Sequence, residues 1–219
     1  MSTVSRHNPD AAERAKGWWF LARFYDTRPD NAFIAELRSA FVGAGEALGA
    51  DELALWRCID AGNPAPEDDL LPEYTRLFRG IAEHYGPPPP YESLYRGATA
   101  MGDVAMAVAK SYAASGLDGL AGDNGPPDHL ATELRFLSLL SHREMAAWDA
   151  GDDDGARQAL RQQRAFLDHH LLTWLPDYAD TIAGAARSPF YPAVVRLTAG
   201  LATDMRETMN TGAAPMEAT

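Results

Sequence analysis

Asp128 and His129, with Glu133 four residues further on, place an imidazole and two carboxylates at the start of an apolar-periodic run that follows a glycine-rich loop. Asp128 is expected to cap the new helix through its carboxylate, and the i, i+4 spacing puts His129 and Glu133 on one helical face. Such a face suits a basic ligand or one rich in exposed backbone. Carboxylates accept planar bidentate contacts from guanidinium groups, and Tyr74, Tyr91 and Tyr95 offer ring faces to cations or apolar side chains. A helix-lined groove here could also hold an amphipathic peptide. Each of the three leading residues has a structural use as well: Asp128 as an N-cap worth about 0.5–2 kcal/mol, His129 as a hydrogen-bonding partner in the first turn, and Glu133 as half of a local pair.

Other chemistry finds little support. The sequence has no phosphate-binding loop, no Rossmann glycine pattern and no Gly-x-Ser-x-Gly elbow. A metal-binding bundle of the hemerythrin or di-iron kind is the main alternative, built from His84, His129, His142, His169 and His170 with Glu133 or Glu144. Spacing opposes it. The repeated Glu-x-x-His of di-iron bundles is missing, and adjacent His169 and His170 point about 100° apart on a helix. A non-enzymatic helical scaffold is a further alternative. Neither metal nor cofactor is expected, and the single cysteine, Cys58, reads as a small buried hydrophobe.

The elements that position these residues read as helices throughout. Trp18, Leu21, Ala22 and Tyr25 follow Pro9-Asp10 at helical period, and Phe33, Leu37, Phe41 and Leu48 follow Pro29-Asp30, with Gly43 and Gly45 weakening that second helix. Further helices are expected over about 52–59, 68–81 and 101–114. Leu130, Leu134, Leu137, Met145 and Trp148 mark a long one, Leu160, Leu167, Leu171 and Trp174 the next, and the acidic run Asp152 to Asp154 caps their junction. Pro176 opens another helix, and Phe190, Val194, Leu197, Leu201 and Met205 mark the last. Leu77, Phe78, Leu134 and Phe136 are expected in the core. Pro87 to Pro90 lack amide donors and read as a stiff, exposed polyproline connection that lowers the ordering cost of peptide binding beside Tyr91.

The expected architecture is therefore all-α: one helical-bundle domain of about nine or ten helices over 1–212. A flexible loop over about 116–127 separates the N- and C-terminal halves, and 213–219 form a disordered tail. That hinge permits exchange of the C-terminal half, so the expectation is a monomer with some domain-swapped dimer. Apolar residues make up 46% of 219, enough for a core, yet no apolar run is long enough to cross a bilayer. With 31 acidic against 19 basic residues, the formal net charge of -12 disfavours nucleic acid and anionic lipid and favours basic partners. The N-terminal stretch through Lys16 lacks the basic-then-apolar order of a secretory leader, so a cytoplasmic location is expected.

Several short motifs in a fixed order resemble the TorD/DmsD/NarJ family of molybdoenzyme maturation chaperones. They are Glu73-Tyr74 with Leu77-Phe78, the proline run ending in Tyr91-Glu92-Ser93 with Tyr95, Pro127-Asp128-His129-Leu130 with Glu133-Leu134, and Phe166, His170-Leu171, Trp174 and Pro176. The resemblance spans about 18–201. It implies an all-helical cytoplasmic protein without enzymatic activity that binds the apo catalytic subunit of a molybdenum enzyme of the dimethyl sulfoxide reductase superfamily. The contact is through its twin-arginine signal peptide, its mature part, or both, supporting molybdopterin cofactor insertion and proofreading before export. Proteins of molybdenum cofactor biosynthesis are implied as further partners. The binding residues implied are Tyr74, Tyr91, Glu92, Tyr95, Asp128, His129 and Glu133, framed by Leu77, Phe78, Pro127, Leu134, His170, Trp174 and Pro176. Tyr91 departs from the tryptophan that many relatives carry after the prolines, which reduces stacking area and adds a hydroxyl.

Overall fold

The computed structural model describes residues 9–42, 49–60, 67–80, 85–97, 101–120 and 125–211. These residues form α1 (Pro9–Asp26), α2 (Asn31–Val42), α3 (Ala50–Ile59), α4 (Glu67–Phe78), α5 (Glu92–Tyr95), α6 (Met101–Ala114), α7 (Leu130–Ala150), α8 (Asp153–His169), a 3-10 turn (Leu171–Thr173), α9 (Leu175–Ala185) and α10 (Phe190–Thr211). The fold is all-α, and the only β-type pairing among the described residues is an isolated antiparallel bridge between Tyr91 and His129. No helix among them is long and apolar enough to cross a membrane. The expected C-terminal tail lies outside the described residues, as do Gly43, Gly45 and Leu48.

α7 is the central strut, packed along α1 on one side and α8 on the other. Its apolar spacing accounts for that position: Leu130, Leu134, Leu137 and Leu140 are fully buried, each burial contributing about 1.5–3 kcal/mol. The helix ends at Gly151, whose φ of 74° lets its N–H reach the carbonyls of Ala147 and Trp148. Asp152 then starts α8 at once, its carboxylate accepting from the Gly155 N–H at 2.9 Å. The acidic junction thus caps as expected and folds α7 and α8 into a tight antiparallel hairpin.

Aromatic rings fill the spaces between helices. Tyr112, Phe136 and Phe166 join α6, α7 and α8 with centroids 4.5 and 4.7 Å apart. On the opposite side Phe78 of α4 meets Tyr25 of α1 and Tyr191 of α10 at 5.3 and 5.2 Å. Leu77, Phe78, Leu134 and Phe136 all lie in this core. Cys58 differs from its expected full burial: it is half-exposed on α3, with Sγ donating to the Ala54 carbonyl at 3.2 Å.

The proline segment also departs from the exposed connection expected of it. Pro90 is buried, and its carbonyl accepts from the Leu130 N–H at 2.9 Å, which fastens the segment to the start of α7. Proline lacks the N–H donor but keeps its acceptor, and the acceptor makes this joint. Gly86 allows the approach at the other end, because a Cβ there would overlap the backbone carbonyl of Arg76. Gly86→Ala is expected to lower stability by about 1–3 kcal/mol through overpacking, read by urea unfolding.

Around the expected hinge, the described residues are tied down. Arg143 of α7 donates to the carbonyls of Ser115 and Gly116, and the Tyr112 hydroxyl donates to the Pro127 carbonyl at 2.7 Å. Residues 121–124 of that loop lie outside the description.

Candidate functional site

The sequence motifs converge where α5, the start of α7 and the end of α8 meet. The cap assignment is the reverse of the expected one. His129, not Asp128, is the N-cap of α7, its Nδ1 accepting from the Ala131 N–H at 3.2 Å. Asp128 faces across the chain and holds α5 instead: its backbone carbonyl accepts from the Glu92 N–H at 2.9 Å and its Oδ2 from the Ser93 N–H at 3.1 Å. A four-residue helix is unstable alone, so this remote carboxylate supplies the N-terminal partners that α5 lacks.

His129 and Glu133 also diverge rather than share a face. An N-cap has non-helical dihedrals, here φ -77° and ψ 134°, which turns the imidazole out against the Tyr91 ring at 5.0 Å between centroids. Glu133 points inward and is fully buried, with Oε2 accepting from the Trp174 indole N–H at 3.3 Å and Oε1 unpartnered. Burial first, then the charges of Glu92 and Asp128, push the Glu133 carboxyl well above the usual range, and the Trp174 N–H pulls the other way. Fully buried, Glu133 presents no carboxylate to a cation at the surface.

Glu92 lies at the centre of the cluster and is fully buried. Its Oε1 accepts from Arg96 Nη1 at 2.5 Å, and its Oε2 lies 3.1 Å from His170 Nδ1. The far nitrogen of His170 is 3.0 Å from the Ser111 hydroxyl of α6. Trp174 forms the floor, tilted against Tyr95 and Tyr178 at 5.6 Å each. Tyr95 is partly exposed and donates from its hydroxyl to the Pro88 carbonyl at 2.6 Å, which closes the proline segment over α5. Pro176 sits in the first turn of α9, where its missing N–H costs nothing. Tyr74 is buried away from this surface, its hydroxyl donating to the Tyr25 carbonyl at 3.0 Å.

The outer rim is formed by Tyr91 and His129, with Arg79, Arg135 and Asp128 as its neighbouring charges. Burial, then the charges of Arg79 and Arg135, lower the His129 pKa to about 4, so the imidazole is neutral at pH 7 and free to accept at Nδ1. The fold therefore gains from neutral His129 above its unfolded pKa of about 6.5, and that gain is lost as pH falls towards 4. His129→Asn keeps a cap acceptor without titrating. Wild type is expected to lose about 2–3 kcal/mol more than this variant between pH 7 and pH 4, measured by urea unfolding across the window.

The histidines and carboxylates of the metal-bundle alternative are not brought together. His129 is a cap, His142 and His169 are exposed, His170 pairs with Glu92 and Glu144 belongs to a separate network, while His84 lies outside the described residues. Among the described residues no group of three His, Cys, Asp or Glu could hold a metal ion.

A family model described as "Nitrate reductase delta subunit" matches residues 30–180, which takes in α2 to α8, the cluster and most of α9. The chain belongs to the TorD/DmsD/NarJ family. The chaperone protein TorD of Vibrio cholerae is 28% identical over 195 residues, covering 84% of this chain and 86% of its own. The selenate reductase assembly chaperone protein of Thauera selenatis is 48% identical over a shorter 56 residues, 26% of this chain and 28% of its own. Among solved structures, an Archaeoglobus fulgidus protein assigned to redox enzyme maturation aligns over 90% of this chain and 93% of its own, at 20% identity and a TM-score of 0.47. These TorD-family relatives carry the names of chaperones and assembly factors, not of enzymes.

Sequence reasoning placed Tyr91, Glu92, Tyr95, Asp128, His129, Glu133, His170 and Trp174 in one family pattern, and the fold collects them in one region. It missed Arg96 and Ser111, which complete the hydrogen bonding of Glu92 and His170. Arg96 had a signal, since it stands four residues after Glu92 and so pairs with it across one helical turn. Ser111 had none, because its partner is 59 positions away.

Proposed function

We propose that this molybdoenzyme maturation chaperone works in the cytoplasm on one dedicated client: the apo catalytic subunit of a molybdenum enzyme of the dimethyl sulfoxide reductase superfamily. It binds the arginine-bearing signal peptide, the mature part, or both, keeps the subunit competent for molybdopterin cofactor insertion, and delays export until insertion is complete. Proteins of molybdenum cofactor biosynthesis join the complex at the insertion step. The working form is mainly monomeric, with a minor dimer formed by exchange of the C-terminal half. The observation that carries the reading is the buried acidic and aromatic cluster at α5, α7 and the 3-10 turn, in a chain similar to TorD chaperones over most of its length. Carboxylates backed by indole and phenol rings suit guanidinium groups followed by apolar side chains.

Affinity capture of the tagged chain from its native cells, with mass spectrometry of the captured proteins, tests this. A molybdoenzyme catalytic subunit with its leader attached is the expected catch; its absence in cells that express such an enzyme counts against the proposal. The double variant Asp128→Ala with His129→Ala is expected to weaken client binding at least about tenfold, a loss of roughly 1.4 kcal/mol. Its far-UV circular dichroism should change little, because Asp128 holds a helix of only four residues and loss of the His129 cap reaches only the first turn of α7. Unchanged affinity in a folded variant would remove both residues from the site.

A further inference from the structure

The expected carboxylates do not meet solvent at the Tyr91 and His129 rim, and this raises the question of how a client arginine reaches them. One route is visible. Glu92 is fully buried, whereas the guanidinium that satisfies it belongs to Arg96, whose side chain is 38% exposed. Arg96 Nη1 donates both to Glu92 Oε1 at 2.5 Å and to the His169 backbone carbonyl at 3.2 Å. His169 and His170, to which Arg96 and Glu92 bond, also line a cleft of about 170 Å3 between α6, α7 and α8, together with Ser111, Gln162 and Phe166. The cluster behind Arg96 also holds more polar capacity than the chain satisfies: Ser93 Oγ, Glu133 Oε1 and Tyr178 Oη are buried without partners on three different elements.

From this arrangement we infer that Glu92 is the acceptor for an arginine of the client, entering where the Arg96 side chain meets solvent, and that Arg96 occupies the donor's position in the free protein as an internal substitute. This rests on the reading of the protein as a binder of an arginine-bearing client and names the contact. Exchange of one guanidinium for another conserves the charge balance around a buried carboxylate, so the client does not bear the cost of burying an unpaired charge. The 3.2 Å bond to the His169 carbonyl is likewise available to either guanidinium, which provides two of its donor sites with partners. Arg96 can leave towards solvent, because it is the C-cap of a four-residue helix and precedes Gly97, whose φ of 62° and open surroundings impose no side-chain packing on the turn. An internal competitor lowers the apparent affinity by the fraction of time it occupies the site, and it screens out peptides whose cation cannot bond the Glu92 carboxylate and the His169 carbonyl together.

The test uses the full chain and a synthetic peptide of two adjacent arginines followed by an apolar stretch, alongside the same peptide with both arginines replaced by glutamine. Binding is followed by calorimetry. Arg96→Gln is expected to bind the arginine peptide about tenfold more tightly than wild type, with no gain for the glutamine peptide. Glu92→Gln is expected to weaken arginine-peptide binding, and adding Arg96→Gln to it should restore nothing. Thermal unfolding of each variant confirms that a folded protein is compared, and Arg96→Lys, which keeps the charge without the planar fork, should fall between wild type and Arg96→Gln. Equal or weaker binding by folded Arg96→Gln, with wild type still binding the arginine peptide in preference to the glutamine one, overturns the substitute role alone. If neither chain prefers the arginine peptide, the arginine-bearing client reading fails and this inference fails with it.

Discussion

Glu144→Ala is expected to destabilise the chain by about 3–5 kcal/mol, because it leaves the Arg14 guanidinium charged and buried without its partner. Glu144 is 1% exposed and gathers three donors from three helices: Arg14 Nη2 of α1 at 2.7 Å, Gln163 Nε2 of α8 at 2.8 Å, and the Trp148 indole N–H of its own α7 at 3.4 Å. Ser141 extends the network by donating to Gln163 Oε1 at 2.7 Å. This joint ties α1 and α8 to α7, and the α1 contact is further linked by Ser138 Oγ donating to the Ala15 carbonyl at 2.8 Å and by Arg135 with Asp26. Its energetic sign depends on completeness, since a satisfied buried pair roughly offsets its desolvation while half a pair does not. Replacing both members, Arg14→Met with Glu144→Leu, is therefore expected to recover most of the loss. Urea unfolding of the two single variants and the double one decides it: a double variant as unstable as the sum of the singles would show that the pair acts through something other than mutual charge compensation.

The long helices were legible because their apolar residues recur at 3.6-residue spacing over many turns, as in α7 and α10, where packing and propensity agree. Within α1, Arg14 stands on the same stripe as Ala11, Ala15 and Trp18, and Glu144 follows Leu137 and Ser141 on the stripe of α7. A charged residue on an apolar stripe was the available sign of their buried pairing. α5 had no such sign. Four residues give no period, and its cap comes from Asp128, 35 positions beyond Ser93. The exchange of roles between Asp128 and His129 has the same origin: both residues can cap, and only the docking of the proline segment decides which backbone donors each one meets. The family pattern was thus enough to collect the candidate site, while the partners inside it were set by contacts between distant segments.

Trp174→Ala is expected to be at least as damaging as loss of Glu144, at about 3–5 kcal/mol, and to act on the candidate site as well as on the core. The indole is fully buried between the 3-10 turn and α9, against Tyr95 and Tyr178, and it is the donor that satisfies Glu133 Oε2. Trp174→Phe separates the two roles by keeping most of the ring area and removing the N–H. Because that N–H lowers the Glu133 pKa, its removal raises a carboxyl already pushed up by burial and by Glu92. The sign for stability follows. A carboxyl raised in the fold holds a proton that the unfolded chain releases above about pH 4.5, so it disfavours folding by about 1.4 kcal/mol for each pH unit up to the folded pKa. Glu133→Gln, which keeps the shape of the neutral acid, is expected to remove that slope, and Trp174→Phe to extend it to higher pH. Unfolding midpoints from pH 5 to pH 9 give both results at once. A Glu133→Gln variant that follows the wild-type pH profile would mean that Glu133 is ionised in the fold, and two buried anions would then have to share Arg96 and His170 as their neighbouring cationic partners.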